Sequence, residues 1–158
     1  MLNIAPAALP HDLPDIRLLF SEYSGLVAEA LCFQNFDQEL AALPGEYVPP
    51  GGALLLARDA AGANVAAGCV ALRRVDAGTG EMKRMYVRDA YRGSGLGRNL
   101  AIAVIAEARE KHYSRIVLDT LPKLVAAIAL YRALGFVEID PYLASPTPGA
   151  ICFGLRLS

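Results

Sequence analysis

"YRGSGLGRNLAIAVIAEARE", residues 91–110, decides how the rest of the chain reads. Gly93, Gly95 and Gly97 stand at alternate positions, and the apolar run behind them repeats with a helical period. Leu96, Leu100, Val104 and Ala108 share one face with Ala101 and Ile105, while Arg98, Asn99, Glu107, Arg109 and Glu110 lie elsewhere on the cylinder. A glycine loop entering a helix exposes main-chain N–H groups where the helix dipole is positive. Glycine lets a ligand approach that main chain and lets the loop close into an anion-binding nest. With Arg92 and Arg98 beside it, the chemistry favours a phosphate or diphosphate. Two familiar phosphate loops are excluded by spacing. No Lys-Ser or Lys-Thr follows the glycines, as a Walker loop requires, and the last glycine of a GxGxxG fingerprint counted from Gly93 falls on Arg98. On the glycines alone, a tight strand-to-helix connection without a ligand fits as well.

Working outward, residues 81–87, EMKRMYV, alternate as a half-buried strand, and residues 115–119, RIVLD, form a short apolar one. The unit 81–119 is strand, helix, strand, which makes its two strands parallel with a right-handed connection. Before it, residues 53–58 and 64–74 form a hairpin around Asp59-Ala60-Ala61-Gly62, and Asp76 to Gly80 turns the chain again. Nearer the start, residues 2–5 read as a strand. Asp12 before Pro14 opens a helix whose apolar face is Leu13, Ile16, Phe20, Tyr23, Val27 and Ala30. A shorter helix spans 37–43, and Pro49-Pro50-Gly51-Gly52 breaks the chain. After residue 119, a helix over 124–134 carries Leu124, Ala127, Ile128, Tyr131 and Leu134 in register, with Gly135 at its C-cap. Two last strands, 136–140 and 150–157, flank a proline-rich loop from Pro141 to Pro148. The expectation is a mixed α/β sheet in one domain, residues 1–158.

The chain has 158 residues, of which 54% are hydrophobic and 20% charged, so it can bury a core and does not read as disordered. With a net charge of −1, nothing argues for wholesale nucleic-acid binding, and no nucleic-acid partner is expected, although charge alone leaves room for a local basic patch. No window reaches the length of a membrane span, and the N-terminal stretch MLNIAPAALPHDLPD lacks a basic start, so a soluble cytoplasmic protein is expected. Cys32, Cys69 and Cys152 are scattered and read as buried free thiols; His11 and His112 read as surface residues, and no metal site is expected.

The flanks of the glycine loop carry a resemblance. Arg92-Gly93-Ser94-Gly95-Leu96-Gly97 matches the [Q/R]-x-x-G-x-[G/A] loop of the GNAT-type N-acetyltransferases. "MYVRDAYR" before it looks like that family's fourth strand and exit, and "AAIALYRALGF", residues 126–136, is similar to its helix with terminal L-Y-x-x-x-G-F. The resemblance is firm over roughly 81–137 and agrees in layout elsewhere after residue 50. It implies a mostly antiparallel sheet whose parallel fourth and fifth strands, here 81–87 and 115–119, splay apart around acyl-coenzyme A. It further implies that the main chain of Met85, Tyr86 and Val87 pairs with the pantetheine arm. The loop Arg92, Gly93, Ser94, Gly95, Leu96 and Gly97, with Arg98, would then hold the diphosphate. Side chains at 93, 95 and 97 would obstruct it.

Acetyl transfer to an amine needs a deprotonated nitrogen, a close carbonyl carbon, a donor for the oxyanion and a proton for the leaving thiolate. A free lysine amine titrates at about 10.4 and an α-amine at about 8, so acceptors differ in how much help they need. By resemblance, Tyr131 is the acid near the sulfur; its neighbours on the helix face also suit a core tyrosine. Glu81 is the leading base, because histone-acetylating relatives place a glutamate eleven residues before the arginine of the loop. Strand alternation sets Glu81 on one face with Lys83, Met85 and Val87. Asp119 is the rival base, at the end of the fifth strand, and a water chain is the third option. Leu124 stands where relatives often carry a cofactor-contacting asparagine. Lys83 and Arg84 read first as exposed strand charges and second as contacts to an acidic acceptor. Tyr23, Phe33, Phe36 and Tyr47 read first as core, and Tyr142 is an outlying acceptor contact. The functional expectation is acetyl-coenzyme A-dependent N-acetylation of a small amine, amino acid or peptide or protein terminus. The alternatives are an acyl-coenzyme A-binding sensor without chemistry and a fold with no ligand. A homodimer through the last strands is the assembly the family suggests.

Overall fold

The computed structural model describes residues 1–31 and 35–157. Cys32 and Phe33, and the side chain of Ala30, lie outside what is described. The elements in chain order are β1 (Leu2–Pro6), α1 (Leu13–Leu31), α2 (Phe36–Ala42), β2 (Ala53–Asp59), β3 (Val65–Asp76), β4 (Thr79–Val87), α3 (Leu96–Glu110), β5 (Arg115–Thr120), α4 (Val125–Ala133), β6 (Val137–Ile139) and β7 (Ile151–Arg156), with a short 3-10 turn at Asp89–Tyr91. One seven-stranded sheet runs in the order β1-β2-β3-β4-β5-β7-β6. Every neighbouring pair is antiparallel except β4 with β5, which is parallel. The last two strands swap places, so that β7 lies between β5 and β6. Chain order alone does not reveal that swap.

Two cores cover the two faces of the sheet. On one, Leu55, Val70, Leu72 and Met82 pack against Leu96, Leu100 and Val104 of α3 and Tyr131 of α4. On the other, Leu54, Leu56, Cys69 and Ala71 pack against Ile16, Leu19 and Phe20 of α1, Phe36 of α2, and Tyr47. Alternation along β2 and β3 therefore sends consecutive apolar residues to opposite cores, which is why both strands read as continuous apolar runs rather than as polar-apolar ladders. The buried face of α3 is the set Leu96, Leu100, Ala101, Val104, Ile105 and Ala108 that its periodicity marked out. α1 kinks at Val27, whose φ is −136°. Asp12 accepts the Ala8 amide at 2.7 Å and the Arg58 guanidinium at 2.8 Å, so it joins α1 to β2 as well as opening the helix. Cys69 and Cys152 are buried free thiols, and His11 and His112 are exposed.

Candidate active site

β4 and β5 pair only at Thr79–Arg115, Gly80–Ile116 and Glu81–Val117. Beyond those positions the β5-facing edge of β4, from Met82 to Val87, has no ladder partner, and the strands diverge. Backbone N–H and C=O groups freed in this way need partners, so a parted pair inside a sheet is a ready surface for an extended ligand. A cavity of about 60 Å³ opens in the gap, lined among others by Lys83 and Met85 of β4, Asp119 of β5, and Leu124 and Tyr131 at α4.

A bulge in β4 shapes the gap. Pairing with β3 jumps from Cys69–Tyr86 to Ala71–Lys83, so Val70 faces two residues, Arg84 and Met85. Arg84 takes the left-handed conformation at φ 58°. Its side chain is buried, and Nε and Nη2 each donate to the Glu39 carboxylate at 2.8 Å. The guanidinium also sits 5.3 Å from the Phe36 ring centroid. Arg84 is thus an interior anchor, which corrects the reading of Lys83 and Arg84 as exposed strand charges; Lys83 is half-buried. The bulge also corrects the alternation. Glu81 and Lys83 share a face, but Met85 and Val87 join the opposite core with Met82, and Tyr86 joins the α1 side. One extra residue moves every later side chain to the other face. The adjacent charges Lys83-Arg84 inside a buried strand were the available sequence signal for it.

Two of the three expected catalytic side chains meet in the gap. Tyr131 is 6% exposed and packs its ring against Phe136 at 5.8 Å and Phe153 at 6.4 Å. Burial pushes its hydroxyl well above the ordinary range, with the charges of Tyr23 and Asp119 acting the same way, so it keeps its proton at neutral pH. Asp119 lines the same cavity, and burial raises its pKa against the pull of Lys83. Glu81 stands apart. It is 0% exposed, sits where the strands are still paired, and binds Arg73 Nε at 2.6 Å; the Tyr142 hydroxyl donates to its other oxygen. Its carboxylate is committed to these two partners. Leu124, in the place of the absent asparagine, adds an apolar wall to the gap.

The glycine loop lies at the open end. Gly93 and Gly95 have φ of 80° and 85°, and a Cβ at either would meet nothing within 4 Å. Their glycines answer a left-handed backbone rather than a close approach inside the chain. Gly97 adopts no such conformation, and a Cβ there would make ordinary contacts with Leu130 and Val87 at 3.8 Å. Gly95 is the N-cap of α3, whose first turn has neither a side-chain cap nor an acidic residue. Ser94 Oγ donates back to the Tyr91 carbonyl at 2.5 Å. Arg92 donates from Nε to the Val87 carbonyl at 3.2 Å and pairs with Asp89 at 3.0 Å, which ties the loop to the end of β4. Arg98 is exposed on the first turn of α3.

A second, larger cavity of about 440 Å³ lies on the α2 side of β4. Glu39 of α2, Tyr47, Arg73 of β3, Lys83 of β4 and Thr147 of the β6–β7 loop line it, and Lys83 borders both cavities. The sequence singled out Lys83 and Tyr47 here but passed over Glu39 and Arg73, whose roles depend on partners far away in the chain.

The comparisons with known proteins agree with this geometry. Residues 14–136 match the Acetyltransferase (GNAT) family. Over 158 aligned residues the chain is 40% identical to an uncharacterized N-acetyltransferase of Schizosaccharomyces pombe, covering 99% of this chain and 96% of that protein. Its fold is like that of a GNAT-family acetyltransferase from Staphylococcus aureus, with a TM-score of 0.82, 22% identity and full coverage of both chains. It is also like that of a GNAT acetyltransferase from Elizabethkingia anophelis solved with acetyl-CoA bound, with a TM-score of 0.66, 24% identity, and 99% and 98% coverage of the two chains. The parted strands, the glycine-led helix and these matches place the chain in the GNAT family, as an acyltransferase of the N-acetyltransferase type.

Proposed function

We propose that the chain moves an acetyl group from acetyl-coenzyme A to a primary amine of a small molecule, an amino acid or a peptide or protein terminus. The observation that carries the reading is that β4 and β5 part beyond Glu81–Val117 and that Tyr131 and Asp119 line the same gap. The acetyl-CoA held by the Elizabethkingia anophelis neighbour supports the choice of donor. The residues suit that ligand. The free edge of β4 at Met85, Tyr86 and Val87 offers main-chain partners to an amide-bearing pantetheine arm. The uncapped first turn of α3, with Gly93, Ser94, Gly95, Leu96, Gly97, Arg92 and Arg98, suits a diphosphate.

The thioester supplies an activated acyl carbon. Asp119, its pKa raised by burial, accepts a proton from the incoming ammonium and frees the nitrogen lone pair. A β4 main-chain N–H stabilises the oxyanion that forms as nitrogen adds to the carbonyl. As the C–S bond breaks, Tyr131 donates its proton to the sulfur and recovers one from the added nitrogen, which leaves as a neutral amide, while Asp119 releases the first proton to solvent. Glu81 serves in this reading as a buried support, holding Arg73 and Tyr142 in place rather than meeting the amine.

Tyr131→Phe tests the acid. It removes one hydroxyl from a packed ring, so acetyl-coenzyme A affinity by calorimetry stays within about twofold while kcat falls about 10²-fold. Undiminished thiol release in this variant would remove Tyr131 from the mechanism.

A further inference from the structure

The larger cavity says which amine the site takes. The carboxylates in and around it already have guanidinium partners within the chain. Glu39 receives two hydrogen bonds of 2.8 Å from Arg84. Glu46, 68% exposed at the rim, meets Arg73 Nη1 at 3.3 Å. Glu81, fully buried, meets Arg73 Nε at 2.6 Å. Arg73 is only partly engaged. Arg73 spends Nε and Nη1 on these two carboxylates, and its Nη2 has no hydrogen-bond partner among the described residues. The side chain is 22% exposed and lines the cavity. A guanidinium presents five N–H donors in a planar fork, so the Nη2 end of Arg73 still offers donors to a carboxylate placed in the cavity. Lys83 adds an ammonium on the same wall and also borders the gap where Tyr131 and Asp119 lie. An acceptor anchored here therefore extends toward the reacting groups.

We propose that this cavity seats the acceptor and that Arg73 and Lys83 bind a carboxylate on it: the acceptor is a small amine that also carries an acid group, such as an amino acid or short peptide acid. The inference rests on the acetyl-transfer reading and narrows it. A polyamine suits the cavity poorly, because a second ammonium would have to displace an arginine from Glu39 or Glu81. Such an exchange leaves a buried guanidinium without its counter-charge.

The test uses the whole chain, acetyl-coenzyme A and a thiol-release assay with matched acceptors: glycine against glycinamide, L-alanine against L-alaninamide, L-aspartate against its α-amide, and putrescine as a dication. The amides hold more of their amine unprotonated at a given pH, so an acid preference cannot come from amine basicity. A carboxylate held by charged donors is expected to raise kcat/KM for the acids about tenfold or more over their amides. Lys83→Met and Arg73→Met bring that ratio toward one. Arg73→Met strips Glu81 of its guanidinium, so its folding is checked by acetyl-coenzyme A affinity; should it not fold, the ratio in Lys83→Met carries the test. Amides equal to or better than acids, putrescine as the best acceptor, or an acid preference undiminished in Lys83→Met overturns the inference and leaves acetyl transfer standing. Thiol release with none of these amines overturns the transfer reading, and the inference with it.

Discussion

Asp119 and Tyr131 belong to the same gap but reach it by different routes. Tyr131 sits on the inner face of α4, where helical periodicity aims it at the sheet, so its position was legible in the sequence. Asp119 is the penultimate residue of a short apolar strand, and only the parting of β5 from β4 makes that end a site. Its raised pKa has a stability consequence. Below the ordinary aspartate value of about 3.9 both folded and unfolded states carry the proton. As pH rises past that value the unfolded chain ionises first, so stability falls until the folded pKa is reached and stays lower above it. Asp119→Asn removes that penalty. Its Tm at pH 7 is expected to exceed the wild-type value, while kcat falls and the acid limb of the kcat/KM profile disappears. Scanning calorimetry and a pH–rate series read the two effects separately, and a lower Tm would mean that the ionised form makes contacts that outweigh its desolvation. Glu81 was an expectation of residue type and position. Its engagement by Arg73 and Tyr142 joins β3 and the β6–β7 loop to β4, and no local pattern announces it.

The β4 bulge decides the site at the level of elements. It reverses the facing of Met85 and Val87 and turns Arg84 inward, within the half of β4 that has no β5 partner. Its partner strand carries a glycine at the point of closest approach: a Cβ on Gly68 would lie 2.6 Å from the Tyr86 carbonyl oxygen. That oxygen is main chain and cannot rotate away. Gly68→Ala is expected to cost about 2 kcal/mol or more, read as a lower urea midpoint. Because Tyr86 lies between Met85 and Val87 on the segment assigned to the pantetheine arm, a shift of its peptide should weaken acetyl-coenzyme A affinity as well. Gly95 poses a different demand. At φ 85° with open space around it, Gly95→Ala strains the backbone by about 1 kcal/mol and tilts the amides at the start of α3. Its effect on acetyl-coenzyme A affinity should exceed its effect on Tm; the reverse order would argue against a diphosphate at that turn.

Across the whole molecule, ion pairs fasten the helices of one layer to the sheet. Arg58 joins β2 to Asp12 and Asp15 at 2.8 and 2.7 Å, Arg88 joins the end of β4 to Glu22 at 2.7 Å, and Arg84 joins β4 to Glu39 of α2. Burial works to raise the Glu39 pKa, but the Arg84 guanidinium outweighs it and holds the carboxyl below its usual range. Glu22 is likewise held low, chiefly by its hydrogen bond from Arg88. For a depressed carboxylate the stabilisation is present above the unfolded value, about 4.3 for glutamate, and is lost as pH falls through the folded pKa. Acid unfolding should therefore set in below about pH 4. Arg84→Met leaves Glu39 without its counter-charge and is expected to cost about 3–5 kcal/mol at pH 7. Its stability should then fall less between pH 5 and 3 than that of the parent chain, by urea titration at each pH. An unchanged acid slope would assign the acid sensitivity to the other pairs.

The sequence by itself determined the elements, the parallel strand-helix-strand unit and the loop at its centre, because each rests on local rules: helical period, strand alternation, the conformational freedom of glycine. It also determined that Tyr131 faces the sheet. Only the tertiary structure decided where β4 bulges, that β7 slips between β5 and β6, and which carboxylate reaches the gap. Those outcomes follow from contacts between distant segments: Arg84 with Glu39, Arg73 with Glu81, Tyr142 with Glu81. A buried charge takes its place from the partner that neutralises it, and that partner is chosen by packing rather than by neighbours in the chain.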